Sequence, residues 1–411
     1  MKSMAVVISI PAGPLMGTVQ LPASKSLSNR LLTIRSLSAV KWPIDHLSEA
    51  DDTRVLNELL EHPAHMEDAG AGGTTFRFLL AVRALQQHRG VITGSPALLE
   101  RPVHLLVEAL REMGAAIDYL GKEGFPPLQL NGGELIGGRY SMDAGVSSQF
   151  LSALMMIGPC LPGGLILETA GTRVSSAYVE MTASVMRNCG VQVETGEHVI
   201  VIPESAYQPV HVTVSADWSA AVFIYAWAAL RPGSEIFLPL LKVRDAQGDA
   251  RTAGWMEEWG VETMQEENGL RIVSSGIPQR EFEYDFLNTP DLAQAFAVMA
   301  ALSGRTLEIT GLSTLRNKET DRLKALYQEL SAVGVQVEIT NERIRVSGVA
   351  DPVKIRNRVF PSYQDHRMVM ALSLLASSGE EVVLDDSGQV SKSFPGYFRE
   401  IERLGAKIVQ R

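Results

Sequence analysis

The chain has 411 residues, 45% of them hydrophobic, and a net charge of −10. That length and apolar content suffice for more than one core and exclude a disordered protein, while the acidic balance excludes a general attraction to nucleic acid or to an anionic membrane. Two cysteines, Cys160 and Cys189, supply neither a disulfide framework nor a zinc ligand set, and they fit a reducing cytoplasm.

Residues 1–10 alternate like a strand and lack the apolar core and cleavage site of a signal peptide. A strand-like lead ends at Pro22, and the run SKSLSNR (24–30) opens a helix. Hydroxyls, free N–H groups and the cations Lys25 and Arg30 there converge on a helix N-terminus, which is a site for an anion; N-capping by Ser24 or Ser26 explains the hydroxyls equally well. GAGGTTFRF (70–78) is glycine-rich and runs into a second helix. Gly73 and Thr74 there suit close approach to a phosphate or carboxylate, although such a run is more often a tight turn, and the Gly-Lys-Ser/Thr ending of a Walker loop is missing. Arg101 precedes a helix expected to begin at Pro102, which points its guanidinium toward that of Arg77. Ser147, Ser148 and Gln149 open the apolar helix 149–157, one serine serving as a cap. The longest apolar stretch, 220–230, is half of what a membrane span needs. Asp291 heads an apolar helix over 291–302, where N-capping is its default role. RNKETDR (316–322) crowds Lys318, Glu319 and Arg322 into two turns, a pattern usually found on a solvated face. YQDHR (363–367) brings His366 and Arg367 to another helix start, and Lys392 follows in SKSF (391–394).

A larger pattern joins these pieces. An amphipathic helix, a glycine and an apolar-alternating strand recur around Gly114, Gly190, Gly260, Gly334 and Gly405, at intervals of 70 to 76 residues. Each glycine sits where a left-handed residue ends the helix. A sixth, degenerate unit is expected at 51–61. Six such units arrange most simply as two groups of three, with helices inside and sheets outside, because helices apolar around their whole circumference need burial on every side. An ordinary α/β sheet with core helices leaves the same pattern. The boundary between the groups is expected near Ser215.

Loop after loop at these helix starts carries a cation: Lys25, Arg30, Arg77, Arg101, Lys318, Arg322, Arg367 and Lys392. Only Asp291 and Glu319 stand among them as acids available for proton transfer. Many cations with two carboxylates suit polyanionic reactants whose chemistry moves protons without a metal.

SKSLSNR (24–30), AGGTTFRF (71–78), ERP (100–102), SSQFLSAL (147–154), TPDLA (289–293), KETDRL (318–323), DHRM (365–368) and KSFP (392–395) span nearly the whole chain. Together and in this order they resemble the 5-enolpyruvylshikimate-3-phosphate synthase family of enolpyruvyl transferases. The resemblance implies an α/β fold of two similar domains, each three βαβαββ repeats forming an inside-out α/β barrel. One domain would be 24–214 and the other 1–23 plus 215–411, with the active site in the cleft between them. It implies transfer of the enolpyruvyl group of phosphoenolpyruvate to the 5-hydroxyl of shikimate 3-phosphate, by addition and elimination, on the route to aromatic amino acids. Shikimate 3-phosphate would meet Ser26, Arg30, Ser147, Ser148, Gln149, Ser175, Tyr178, Asp291 and Lys318. Phosphoenolpyruvate would meet Lys25, Gly73, Thr74, Arg101, Gln149, Arg322, His366, Arg367 and Lys392, in a pocket that also admits glyphosate. Lys25, Asp291 and Glu319 would move protons; no cofactor, metal, nucleic acid or membrane is implied, and the protein is expected to be a cytoplasmic monomer. Ala71 and Thr314 depart from the family, each standing where an Asn is usual, and they leave the charged set whole. The branch acting on UDP-N-acetylglucosamine usually has Lys-Asn near its start and a reactive Cys on a mobile loop, whereas here Ser26 follows Lys25 and no Cys lies between Ile92 and Glu100. A non-catalytic phosphate-binding scaffold built of repeats would need no pair of acids.

Overall fold

A computed structural model describes residues 5–143, 148–170 and 176–411. Their contacts divide the chain into two compact units, Met1–Ala23 with Ser215–Arg411, and Ser24–Val214. Among the described residues no helix is long and apolar enough to cross a membrane.

In the unit that holds both ends of the chain, three helices are apolar on all sides. Every residue of Trp218–Ala229 except Ser219 is buried, as are residues 293–301 of the helix Ala293–Ser303 and the whole of His366–Ser373. Such helices leave no face for water, so they pack on one another, with Ala293–Ser303 touching both of its neighbours. Three four-stranded sheets cover them. In one, Phe282–Asp285 runs parallel to Leu307–Thr310, which pairs antiparallel with Ile344–Ser347, itself the partner of Gln336–Ile339. A parallel pair needs a helical crossover and an antiparallel pair only a hairpin, so this order is a βαβαββ unit read in space. The N-terminal strands complete the other two sheets: Met16–Thr18 joins Glu235–Pro239 in parallel, and Val6–Ser9 pairs antiparallel with Lys407–Gln410.

The unit 24–214 follows the same plan. Gly73–Leu85 packs on Ser148–Ile157 and on Lys25–Leu37. Among its described residues are two four-stranded sheets, and in the third position only the parallel pair of Ile44–Asp45 with Val212–Thr213. The degenerate repeat expected at 51–61 is thus a full helix, Asp51–Glu61, in a repeat with a reduced sheet.

Met66–Asp68 leads through a short loop to the core helix Gly73–Leu85, and Phe282–Asp285 likewise to Pro290–Leu292 and Ala293–Ser303, so loops singled out by sequence lie at helix N-termini. Two boundaries differ from expectation. The helix after Arg101 is His104–Glu112, with Val103 rather than Pro102 at its entry. Before Ala293–Ser303 the chain makes one 3-10 turn, Pro290–Leu292, which contains Asp291, and no side chain caps it. Asp291 is therefore released from capping.

The five boundary glycines all take positive φ: 119° at Gly114, 82° at Gly190, 76° at Gly260, 93° at Gly334 and 100° at Gly405. At Gly260 a Cβ would also stand 2.0 Å from the Gly276 carbonyl oxygen, whereas at Gly405 it would meet nothing within 4 Å. Gly405→Ala is therefore expected to cost about 1 kcal/mol, the backbone term alone. Gly260→Ala is expected to cost about 3 kcal/mol or more, since backbone must also shift. Urea unfolding of the two variants measures the difference, and equal losses would contradict this account.

Candidate functional site

Within 24–214 the site is built from three helix starts. Ser24 Oγ accepts from Leu27 N and caps Lys25–Leu37, so the cap belongs to Ser24 and leaves Lys25 and Ser26 on the first turn. Lys25 Nζ lies 3.0 Å from Asp52 Oδ2, with the two side chains 18% and 14% exposed. Asp52 also accepts, through its carbonyl, the Thr75 hydroxyl at 2.8 Å. One acid thereby ties the lysine to the glycine-rich turn. A Cβ on Gly73 would lie 2.5 Å from Arg77 Nη1 and 2.8 Å from Arg101 Nη1. The missing side chain is what admits both guanidinium groups. Arg77 donates to Gln149 Oε1 at 2.9 Å and to the Pro102 carbonyl at 3.2 Å, and lies over the Phe150 ring at 5.1 Å.

Arg30 sits deeper. It donates to Thr182 Oγ1 at 2.7 Å, the Ser26 carbonyl at 2.9 Å, Ser152 Oγ at 3.2 Å and the Tyr178 carbonyl at 3.2 Å. Burial lowers its pKa to about 10, with Tyr178 opposing. Ser148 is buried, and Ser26, Thr74, Gln149 and Tyr178 are half-buried. Ser147 and Ser175 lie outside the described residues.

Within the other unit, Arg322 is the centre. Its side chain is 1% exposed and its Nη1 donates to Asp291 Oδ1 at 2.8 Å. Nη2 donates to Glu319 Oε2 at 2.9 Å and to Asp365 Oδ1 at 3.2 Å, and Nε donates to Asp365 Oδ2 at 2.7 Å. Burial opposes the charge, but Asp365, Glu319 and Asp291 more than restore it and hold the guanidinium above its ordinary range. Asp291 in turn receives Lys318 Nζ at 3.2 Å on Oδ1 and Arg367 Nη2 at 3.2 Å on Oδ2. Burial alone would raise this carboxyl; Arg367, Lys318 and Arg322 together outweigh it and hold Asp291 well below the usual carboxylate range. Asp365 caps His366–Ser373 by accepting from Arg367 N at 2.9 Å, and His366 Nδ1 lies 3.9 Å from Asp365 Oδ1. Lys392 Nζ donates to the Gln364 carbonyl at 2.6 Å, on the same loop.

The structure thus gathers Lys25, Gly73, Arg101 and Gln149 in one unit. In the other it gathers Asp291, Lys318, Glu319, Arg322, His366, Arg367 and Lys392. RNKETDR is no solvated face at Arg322, which is among the largest fully buried side chains. Sequence reasoning passed over three acids. Asp52 and Asp365 stand at helix starts, a position that signals capping rather than service to a cation. Asp249, 4% exposed in the turn Gly248–Arg251, gave no signal at all. A cavity of about 390 Å³, lined by Leu230, Leu302, Arg305 and Ser378 among others, lies at the opposite ends of the core helices and holds none of these groups.

Residues 57–401 match the family model described as EPSP synthase (3-phosphoshikimate 1-carboxyvinyltransferase). The 3-phosphoshikimate 1-carboxyvinyltransferase of Bacteroides fragilis (strain YCH46) is 39% identical over 98% of this chain and 99% of its own length. That of Escherichia coli O1:K1 / APEC is 34% identical over 94% of this chain and 96% of its own. Among solved structures, EPSP synthase from Acinetobacter baumannii has a TM-score of 0.80 at 20% identity, covering 99% of this chain and 100% of that one. The enolpyruvyl transferase NikO from Streptomyces tendae has a TM-score of 0.74 at 16% identity, covering 100% and 99%. These two likenesses show the α/β fold.

Because folded Asp291 keeps its charge to lower pH than the unfolded chain does, it contributes stability that is full above the ordinary carboxylate range and lost as pH falls. Asp291→Asn is expected to lower the unfolding free energy by about 3–5 kcal/mol at neutral pH, since it strands three cations. The gap from wild type should narrow between about pH 4 and pH 2. Urea midpoints at constant ionic strength test this, and a gap that does not change with pH would refute it.

Proposed function

The chain belongs to the EPSP synthase (3-phosphoshikimate 1-carboxyvinyltransferase) family, and from that premise we propose how its two clusters carry the reaction. Enolpyruvyl is transferred from phosphoenolpyruvate to the 5-hydroxyl of shikimate 3-phosphate, and phosphate is released. Both clusters serve the same pair of substrates. The observation that carries the assignment of roles is the Asp291 carboxylate with Lys318, Arg322 and Arg367 on it.

In the ligand-free protein that carboxylate is too well paired to be a base. Anionic substrates compete for the same cations, and each one drawn off raises the affinity of Asp291 for a proton. Asp291 then takes the proton of the 5-hydroxyl while the hydroxyl oxygen bonds to C2 of phosphoenolpyruvate and the methylene carbon gains a proton. Glu319, 2.9 Å from Arg322 Nη2 in the resting site, takes up a proton once phosphoenolpyruvate draws Arg322 from it, and is then the acid toward the methylene. In the second step the C2–O bond to phosphate breaks, the methyl group of the tetrahedral intermediate gives a proton back to the Glu319 carboxylate, and the proton held by Asp291 leaves with the phosphate. Lys25 stabilises the departing phosphate and acts as a second proton carrier, its charge maintained in the resting state by Asp52 at 3.0 Å. Arg101, Arg367 and Lys392 hold phosphoenolpyruvate; Ser26, Arg30, Ser147, Ser148, Gln149, Ser175, Tyr178 and Lys318 hold shikimate 3-phosphate. We also read the protein as a cytoplasmic monomer. The thiols of Cys160 and Cys189, each pushed by burial to about 11, suit a reducing compartment.

Mixing phosphoenolpyruvate with shikimate 3-phosphate is expected to release phosphate, and UDP-N-acetylglucosamine in its place is expected to release none. Lys25→Met and Asp291→Ala should each lower kcat by about 10²- to 10⁴-fold in protein whose unfolding transition shows it folded. Near-normal turnover in either variant would reject its role. Gly73→Ala should raise KM for phosphoenolpyruvate by about 10- to 100-fold and weaken glyphosate, because its Cβ would displace Arg77 and Arg101; unchanged KM and inhibition would reject that contact.

A further inference from the structure

Tyr363 opens the run YQDHR (363–367). Its φ is 55° and that of Gln364 is 53°, and among the described residues no other two adjacent non-glycine residues both have positive φ. Asp365 N donates to the Ser362 carbonyl at 3.0 Å, which closes residues 362–365 into a turn with both central residues left-handed. Such turns favour Asn followed by Gly, because a Cβ in the left-handed region crowds the backbone. A tyrosine and a glutamine keep that conformation only where their surroundings hold them in it.

The hold comes from bonds on either side of the strained pair. The Tyr363 hydroxyl donates to Glu329 Oε1 at 2.5 Å. Glu329 is buried, and Arg358 covers its other oxygen with Nη2 at 2.7 Å and Nε at 2.8 Å, so the tyrosine serves the oxygen that Arg358 leaves. Glu329 follows Arg322 by about two turns on the helix Arg322–Ala332, on the same face. Arg322 in turn grips Asp365, at the far end of the turn, at 2.7 and 3.2 Å. One helix thus holds the turn at both ends. Between the two anchors the Gln364 carbonyl receives Lys392 Nζ at 2.6 Å.

We propose that Tyr363 is a positioning residue for Lys392: bonded to Glu329, it keeps the 362–365 turn left-handed, and that conformation aims the Gln364 carbonyl at the Lys392 ammonium. The proposal rests on the reading that Lys392 holds phosphoenolpyruvate. Without the hydroxyl, Tyr363 and Gln364 gain by returning to negative φ, which reorients the peptides of the turn. Lys392 then loses the carbonyl that places it, whereas Asp365, still gripped by Arg322, keeps the start of His366–Ser373. The loss is one of ligand placement, and the fold stands.

The test measures KM for each substrate, and amide hydrogen exchange over residues 362–367, in the full chain. Tyr363→Phe is expected to raise KM for phosphoenolpyruvate about 3- to 10-fold, the effect of leaving one long side chain to be ordered by the ligand. KM for shikimate 3-phosphate and kcat should change far less, and the Asp365 amide should exchange faster. Tyr363→Asn combined with Gln364→Gly also removes the hydroxyl but favours the left-handed turn by itself, so it should bring both readouts back toward wild type. A hydroxyl that only supported the fold would move both Michaelis constants together, and the double variant would not restore them. Glu329→Gln weakens the same bond from its other side, and its selective rise in KM for phosphoenolpyruvate decides the matter if Tyr363→Phe does not fold. Equal shifts in the two Michaelis constants, or a double variant no better than Tyr363→Phe, overturn the proposal. Lys392→Met tests the reading beneath it: if KM for phosphoenolpyruvate is unchanged there, Lys392 does not hold that substrate, and hydrogen exchange in the Tyr363 variants alone then upholds or overturns the role of Tyr363.

Discussion

Arg322 carries a full charge with 1% of its side chain exposed, and a charge in that position survives only if its hydrogen bonds are all met by acids. Asp365, Asp291 and Glu319 meet them. The arrangement also has a mechanical side. Arg322 and Asp291 come from one repeat, whereas Asp365 comes from the next, so the network fixes two helix starts against each other. Burial of such a group yields little net stability against an apolar alternative, yet removing any one partner leaves the others uncompensated. The chain therefore holds its reactive loops in one geometry by making every other geometry expensive.

The same logic explains why the resting protein is poorly basic. Buried cations must have partners, and Asp291 and Asp52 fill that role for Lys318 and Lys25. In the mechanism we propose, ligand anions replace side-chain anions, and the groups they release gain proton affinity. Binding and activation become one exchange of partners, which ties the timing of proton transfer to occupancy.

How much of this was legible in the chain follows from the kind of signal each feature leaves. The repeat announced itself because a helix end followed by an immediate strand demands a left-handed residue, and Gly114, Gly190, Gly260, Gly334 and Gly405 each supply one. The inner helices announced themselves because Trp218–Ala229 has no polar face. The cationic loops were visible as clusters. Single acids were not: Asp52 and Asp365 look like ordinary helix-start residues, and what sets them apart is which cation the fold brings near. The reduced sheet of Ile44–Asp45 with Val212–Thr213 was equally silent, since strands of two residues leave no alternation to detect.

Ala23 and Ala216 form an antiparallel bridge inside the unit that holds both chain ends. The polypeptide therefore leaves that unit and re-enters it at neighbouring points, and the segment 24–214 is an insertion in its sequence. Its core helices and sheets are complete without those residues, so a short splice from Ala23 to Ser215 would close the host on itself. Among the described residues no strand of 24–214 enters a host sheet, so the strand order of the host does not depend on that segment.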